Sequence, residues 1–268
     1  MLHWFVVDSA AAQPPVTYGW RVASSLHGGA VLITGAGSGI GRATALLASQ
    51  HGASIAAIDI DGDALAETAA LVGERHGRIA TVVADVAAGP ALADAIDTLA
   101  AATGELHAVF ANAAVLPPPV AVGDIDWQLW DRVLDVNLTG ALRTLVLSLP
   151  YVVDGGSLVV IGSSMAIRPR EGRLAYVAAK AGLHAAAKAL ASEVAPRRIR
   201  VNVLAPGLTD TPMVRRIPGH IESGLKSVPL GELVPAEEVA AMAIHLLSDD
   251  TQHVTGAVFS IDGGRTAG

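Results

Sequence analysis

The sequence predicts an α/β protein built on a doubly wound parallel sheet with helices on both faces. Three observations carry this. Short runs that are apolar throughout recur along the chain, as strands buried on both faces require. A stretch with helical spacing follows nearly every run. Right-handed crossovers between such units wind a sheet in both directions. No repeat of 20–50 residues and no second core pattern is visible, so residues 29–268 read as a single domain.

The elements follow in order. AVLITG (30–35) is the first strand, and GRATALLASQHG is a helix that stops at Gly52. ASIAAIDI (53–60) is the second strand, and DALAETAALVGERHG (63–77) the second helix. RIATVVADV (78–86), a helix over 88–103, and LHAVFANAA (106–114) repeat the unit. Asp124 or Asp126 caps a long helix that runs to about Leu149. SLVVIGSS (157–164) is the fifth strand, and LAYVAAKAGLHAAAKALASEVA a strong helix closed by Pro196. IRVNVLAPG (199–207) is the sixth strand. Pro235 opens the helix PAEEVAAMAIHLLS at the first-turn position that proline tolerates. AVFSIDGG (257–264) is the last strand. Residues 1–28 hold Pro14, Pro15 and two of the four tryptophans without a period, and read as an N-terminal extension.

Composition narrows the function. The net charge of −7 leaves no electrostatic footprint for nucleic acid. The absence of cysteine excludes disulfides, thiol catalysis and cysteine-held zinc. It fits a reducing compartment, so a cytoplasmic protein is expected. The nine histidines are scattered without metal spacing, and no metal site is expected. No apolar run reaches the ~18 residues of a membrane helix. LHWFVV near the start lacks a basic lead and makes a poor signal peptide.

Ligands of doubly wound sheets bind beyond the carboxyl ends of the strands. Just after the first strand stands TGAGSGIG, residues 34–41, with glycines at 35, 37, 39 and 41. Glycines there let the backbone turn tightly and approach a pyrophosphate, whose charge meets the N–H groups of the next helix. Ser38 and Ile40 lie in the same turn. Asp59 ends the second strand, 18 residues beyond Gly41 (59 − 41), with Ile60 beside it. A carboxylate near that spacing accepts from both adenosine-ribose hydroxyls and repels a 2′-phosphate, which favours NAD over NADP. Asp59 could instead cap the following turn, as could Asp61 or Asp63. Ser38 stands where a basic residue would favour a 2′-phosphate, which supports NAD; Arg42 could reach such a phosphate, which argues the other way.

Tyr176 and Lys180 are four residues apart in a helix, hence on one face. Tyrosine is a poor base near neutral pH because its ordinary pKa is about 10. A nearby ammonium, or a cationic nicotinamide, is expected to lower it. Tyr176 could then exchange a proton with an alcohol or carbonyl oxygen while hydride moves. A serine at the end of the fifth strand could hold that oxygen. The pair alone occurs by chance in many helices; its setting gives it weight.

These motifs together resemble the short-chain dehydrogenase/reductase family, in its compact single-domain branch. The resemblance covers about residues 29–264 and includes TGAGSGIG, ADV (84–86), ANAA (111–114), DVN (135–137), YVAAK (176–180), APGLTDT (205–211) and IDGG (261–264). It implies a seven-stranded Rossmann-type sheet, an NAD-dependent oxidoreductase acting on a small secondary alcohol or ketone, and a homotetramer or homodimer. It implies Tyr176 as acid/base, Lys180 on the nicotinamide ribose, a serine on the substrate oxygen, and Asn137 in a water-linked proton relay. It places Asp85 and Val86 at the adenine. Asn112, followed by Ala113, stands near the adenosine ribose, and Gly207, Thr209 and Thr211 near the nicotinamide and phosphates. Two positions depart from the family pattern, Ala114 and Ala166 standing where glycine is usual. The family's serine stands second after the isoleucine at the strand end and thirteen residues before the tyrosine. Ser163 fits both (176 − 163 = 13), while Ser164 in an extended strand would face the other way.

Substrate choice is expected from three loops, 115–124, 165–173 and 213–234. Prolines 117–119 stiffen the first, and the third reads as a lid. Arg168, Arg170 and Arg173 in the second, with Arg215, Arg216 and His220 in the third, could meet an acidic substrate or form a solvated face.

Overall fold

The computed structural model describes Leu26, residues 28–73 and residues 78–268. The expected N-terminal extension, apart from Leu26 and Gly28, and the expected end of the second helix at 74–77 lie outside the described residues. The strands are β1 (Ala30–Thr34), β2 (Ser54–Asp59), β3 (Arg78–Val83), β4 (Leu106–Ala111), β5 (Val152–Ile161), β6 (Arg200–Pro206) and β7 (Val258–Ile261). They form a seven-stranded sheet in the order β3-β2-β1-β4-β5-β6-β7, with every neighbouring pair parallel. The doubly wound fold read from the sequence is the fold observed.

The helices are α1 (Gly39–Gln50), α2 (Gly62–Gly73), α3 (Gly89–Thr103), α4 (Trp127–Leu134), α5 (Ala141–Ser148), α6 (Leu174–Val194), α7 (Pro212–Arg215), α8 (His220–Leu225) and α9 (Ala236–Leu247). Alternate residues of the central strands feed two cores. Leu32 of β1 packs into one, with Ile58, Leu92 and Val160. Val31 and Ile33 pack into the other, with Ile55, Phe110 and Val159. Each such fully buried aliphatic side chain stabilises the fold by about 1.5–3 kcal/mol before entropy is counted. Alanine and glycine bring helices close: Ala45 and Ala48 of α1 are buried where it packs on α9.

Three boundaries differ from the sequence reading. β5 begins at Val152, five residues before Ser157; Asp154, Gly155 and Gly156 look like a turn, yet they extend the strand. Pro235 is the residue before α9, with φ −60 and ψ 141, and not its first helical residue. The long helix from Trp127 is not uniform. Asp126 caps it, accepting from the N–H groups of Gln128 and Leu129, but residues Asp135–Gly140 form a π-helical turn between α4 and α5. Such turns widen the helix locally and recur at functional sites.

Candidate active site

Strand order reverses between β1 and β4, and a cavity of about 940 Å³ opens beyond their carboxyl ends. That is where open α/β sheets bind ligands. The glycine turn forms one wall, with Gly35, Gly37, Ser38, Gly39 and Ile40 all lining the cavity. Gly41 does not line it. A Cβ there would collide with the Gly35 carbonyl oxygen, so Gly41 permits the turn to close on itself. Ser38 stands at the N-cap of α1 without a side-chain capping bond, and no acidic residue occupies the first turn. The helix N-terminus therefore faces the cavity without a side-chain anion of its own, a donor set that suits a pyrophosphate.

Asp59 also lines the cavity, and its carboxylate does more than the sequence implied. Oδ2 accepts from the Gly37 N–H at 2.7 Å and Oδ1 from the Asp61 N–H at 3.0 Å. It thus ties the glycine turn to β2 and caps the next turn as well. Arg42 is committed elsewhere: its guanidinium donates to the Gly37 carbonyl and Thr68 Oγ1, and pairs with Glu67 at 2.7 Å. The exposed Ile60 completes this wall.

Asp85 and Val86 lie in the loop after β3, on the cavity wall. Asp85 accepts from the Ala87 N–H and pairs with Arg132 at 2.8 Å. Its pKa lies below the ordinary carboxylate value: desolvation acts upward, and the Ala87 and Arg132 contacts outweigh it. Asn112 and Ala113 follow β4. Asn112 Nδ2 donates to the carbonyls of Thr34 and Gly35, locking β4 to the glycine turn. Gly207, Thr209 and Thr211, beyond β6, line the far wall. Thr211 additionally caps α7 by accepting from the Val214 N–H.

Ser163 and Tyr176 line the cavity; Lys180 and Asn137 stand behind its wall, fully buried. Lys180 Nζ donates to the Ile161 carbonyl at 2.8 Å and lies 5.9 Å from the Tyr176 ring centre. Burial lowers its pKa to about 7. Tyr176 departs from the sequence expectation. Its burial raises the phenol above its ordinary value, outweighing the nearby Ser163 hydroxyl and the charge of Arg173, both of which act downward. Loss of water penalises the phenolate more than these neighbours favour it. Asn137 sits in the π-helical turn. Its Nδ2 donates to the carbonyls of Val115 and Val133, and its Oδ1 accepts from the Val115 N–H.

The two serines take different surroundings. Ser163 Oγ is beside Tyr176 and accepts from the Met165 N–H. Ser164 faces Arg265, whose Nη1 donates to its carbonyl at 3.1 Å and lies 3.4 Å from its Oγ.

Two contributors, His184 and Arg265, escaped the sequence reading, and a third, Arg173, was expected only as a loop charge. His184, one turn beyond Lys180, accepts the Ser163 N–H at Nε2, 3.3 Å away. Desolvation, then the charges of Lys180 and Lys188, lower its pKa to about 4, so it is neutral and can accept. A Cβ at Gly162 would collide with that same nitrogen, so glycine admits the histidine. Arg265, near the C-terminus, holds the loop after β5. Arg173, buried at the start of α6, donates to the Pro117 carbonyl and contacts His220. All three contacts join residues distant in sequence, and only the 21-residue separation of Ser163 and His184 lies within one strand–helix unit.

Among the described residues no cluster of metal-ligating side chains occurs, and no helix is long and apolar enough to cross a membrane. Comparison with known proteins supplies the family. Residues 35–266 match the family model described as enoyl-(acyl carrier protein) reductase. The 3-oxoacyl-(acyl-carrier-protein) reductase of Thermotoga maritima is 35% identical over 242 residues, 89% of this chain and 98% of that protein. The cyclohexanol dehydrogenase of an Acinetobacter strain is 34% identical over 238 residues, 88% of this chain and 94% of that protein. Carveol dehydrogenase from Mycobacterium avium, solved in complex with NAD, superposes with a TM-score of 0.87 at 30% identity, covering 92% of this chain and 100% of that one. With these matches spanning nearly the whole domain, the chain belongs to the short-chain dehydrogenase/reductase family of oxidoreductases.

Proposed function

We propose that the protein is an NAD-dependent oxidoreductase that interconverts a secondary alcohol and a ketone, with Tyr176 as the acid/base. The observation that carries this is the meeting of Ser163 and Tyr176 in one cavity wall, with Lys180 buried directly behind.

The residues present fit a dinucleotide. The side-chain-uncapped start of α1 would take the pyrophosphate, Asp59 the adenosine ribose, and Asp85 with Val86 the adenine. Ile60, Asn112 and Ala113 would flank that half, and Gly207, Thr209 and Thr211 the nicotinamide half. Bound there, NAD would supply the hydride acceptor for oxidation, and its reduced form the donor for reduction. Asp59 and the committed Arg42 support NAD over NADP, because the carboxylate would repel a 2′-phosphate and the guanidinium is already paired with Glu67. The solved NAD complex of the carveol dehydrogenase is consistent with this choice.

In oxidation Tyr176 takes the hydroxyl proton of the alcohol, and in reduction it returns a proton to the carbonyl oxygen. Ser163 Oγ donates to the same oxygen and holds it. The Lys180 ammonium favours the phenolate once the site is filled. Asn137 keeps its place in the proton relay, held there by the Val115 and Val133 backbone. Residues 29–268 form the catalytic domain and residues 1–28 an extension to it. The exposed Trp127 on α4 and Val146 on α5 support a homotetramer or homodimer built on these helices.

The test is a panel of secondary alcohols with NAD and with NADP, followed by the absorbance of the reduced nicotinamide. Turnover with NAD is expected. A clear preference for NADP would overturn the role given to Asp59, and tight NAD binding without any turnover would make the protein a binding module.

A further inference from the structure

The two ends of the cavity differ in charge. Asp59, Asp61, Glu67 and Asp85 line one end, where Arg42 and Arg132 pair with Glu67 and Asp85. Arg170, Arg216 and His220 line the other, beside α7 and α8, and no Asp or Glu lines that end. Among the described residues neither Arg170 nor Arg216 forms an ion pair. Arg170 instead donates to the neutral Ser223 Oγ at 2.8 Å.

His220 provides a second, independent observation. It is 5% exposed, and its Nδ1 lies 3.3 Å from Nη2 of the buried Arg173. A guanidinium only donates, so Nδ1 is the acceptor. Desolvation, with the charges of Arg173 and Arg170, lowers the histidine pKa to about 4, so the ring is neutral and its proton sits on Nε2. That Nε2–H is buried and has no acceptor. This end of the cavity therefore holds unpaired guanidinium charge, backed by a neutral, buried imidazole that adds no negative charge to it. That charge is answered by an oxygen anion.

We propose that the substrate is a hydroxy acid or keto acid, whose carboxylate is bound at this end by Arg170 and Arg216. A planar carboxylate suits the guanidinium fork. The far position of the acidic wall leaves the dinucleotide end unaffected. The inference rests on the oxidoreductase reading, and it adds the charge of the substrate.

The test uses the purified full chain with saturating NAD. Matched pairs of secondary alcohols are compared, each hydroxy acid beside its methyl ester, across linear and cyclic skeletons. For the best skeleton the acid is expected to exceed its ester in kcat/KM by about tenfold, the effect of one charged hydrogen bond. Arg170→Gln and Arg216→Gln are each expected to reduce that ratio several-fold, through the KM of the acid. The ratio is taken within each variant, so partial loss of folded enzyme cancels. Titration calorimetry adds a readout free of turnover: cyclohexanecarboxylate should bind and cyclohexanecarboxamide should not, with the difference lost in Arg170→Gln. Esters oxidised as well as acids, or an unchanged ratio in both variants, would overturn the inference and leave the oxidoreductase reading standing. No turnover of any pair while NAD binds would overturn the oxidoreductase reading, and the calorimetry would then decide the anion site by itself.

Discussion

Asp59 accepts the Gly37 N–H at 2.7 Å, across 22 residues, and so joins the end of β2 to the glycine turn after β1. One carboxylate thereby shapes the turn and charges the adjoining cavity wall. Asp59→Asn separates these roles, because an amide oxygen still accepts from Gly37 but carries no charge. The preference for NADH over NADPH is expected to fall by about tenfold or more, with a stability loss of about 1 kcal/mol because the amide nitrogen cannot accept the exposed Asp61 N–H. Fluorescence titration with both cofactors measures this. An unchanged ratio would remove Asp59 from cofactor choice.

Ser163 and Ser164 are separated by their partners. Ser163→Ala is expected to lower kcat by about 10²-fold, the usual loss for one donor to a reacting oxygen. Ser164→Ala removes a hydroxyl that neighbours Arg265, while the Ser164 carbonyl still accepts from that guanidinium. It should cost about 1 kcal/mol of stability and change turnover by less than about threefold. Steady-state kinetics beside chemical denaturation reads both. A larger kinetic loss in Ser164→Ala would transfer the assignment to that serine.

The sheet, the glycine turn and the Tyr176–Lys180 pair were legible because each is a local pattern: a period, a spacing, a run between glycines. What escaped depends on depth or on distance. DVNLTG reads as ordinary helix, since the hydrogen-bond register that makes the π-helical turn leaves no mark on side-chain periodicity. Gly155 and Gly156 mimic a turn inside β5 because glycine signals conformational freedom, not its use. The direction of the Tyr176 shift follows from its desolvation, and a four-residue spacing cannot report desolvation. Ser163–His184 and Ser164–Arg265 are tertiary contacts, as is Arg173–His220. The family resemblance points to Ser163 by its spacing from Tyr176, and the structure gives the two serines different neighbours.

Lys180 is held at a cost to stability. Its pKa falls from 10.5 to about 7 on folding because burial penalises the ammonium. Between those values the unfolded chain binds more protons than the folded chain, so this residue's contribution to stability improves as pH rises from 7 toward 10.5. Lys180→Met abolishes the ammonium and leaves the Ile161 carbonyl without its partner, an offset of about 1–3 kcal/mol. Without dinucleotide, the variant is expected to be about 2 kcal/mol more stable than the parent near pH 7. That advantage should vanish toward pH 10, and turnover should be lost throughout. Urea denaturation at both pH values checks it. A variant less stable than the parent near pH 7 would mean that the ammonium is better satisfied than its single hydrogen bond indicates.

His184 acts through Ser163 and not on the substrate, so it is a positioning residue. His184→Ala leaves the buried Ser163 N–H without an acceptor and frees the backbone that aims Oγ. It is expected to lower kcat by about tenfold while leaving the KM for NAD unchanged. His184→Gln, whose Oε1 can accept the same N–H, should recover most of the loss; a purely space-filling role would not favour glutamine. The pH dependence gives a second handle. The folded-state pKa of about 4 lies below the ordinary 6.5, so the residue's contribution to stability is complete above pH 6.5 and is lost as pH falls toward 4. His184→Gln should therefore flatten the acid limb of the stability curve between those values. His220, lowered to about 4 as well, keeps part of that limb in the variant. Because His184 remains neutral over the same range, the pH profile of kcat should show no step near 6.5 that His184→Gln removes. Such a step would mean that this imidazole takes up a proton during turnover and belongs among the catalytic groups.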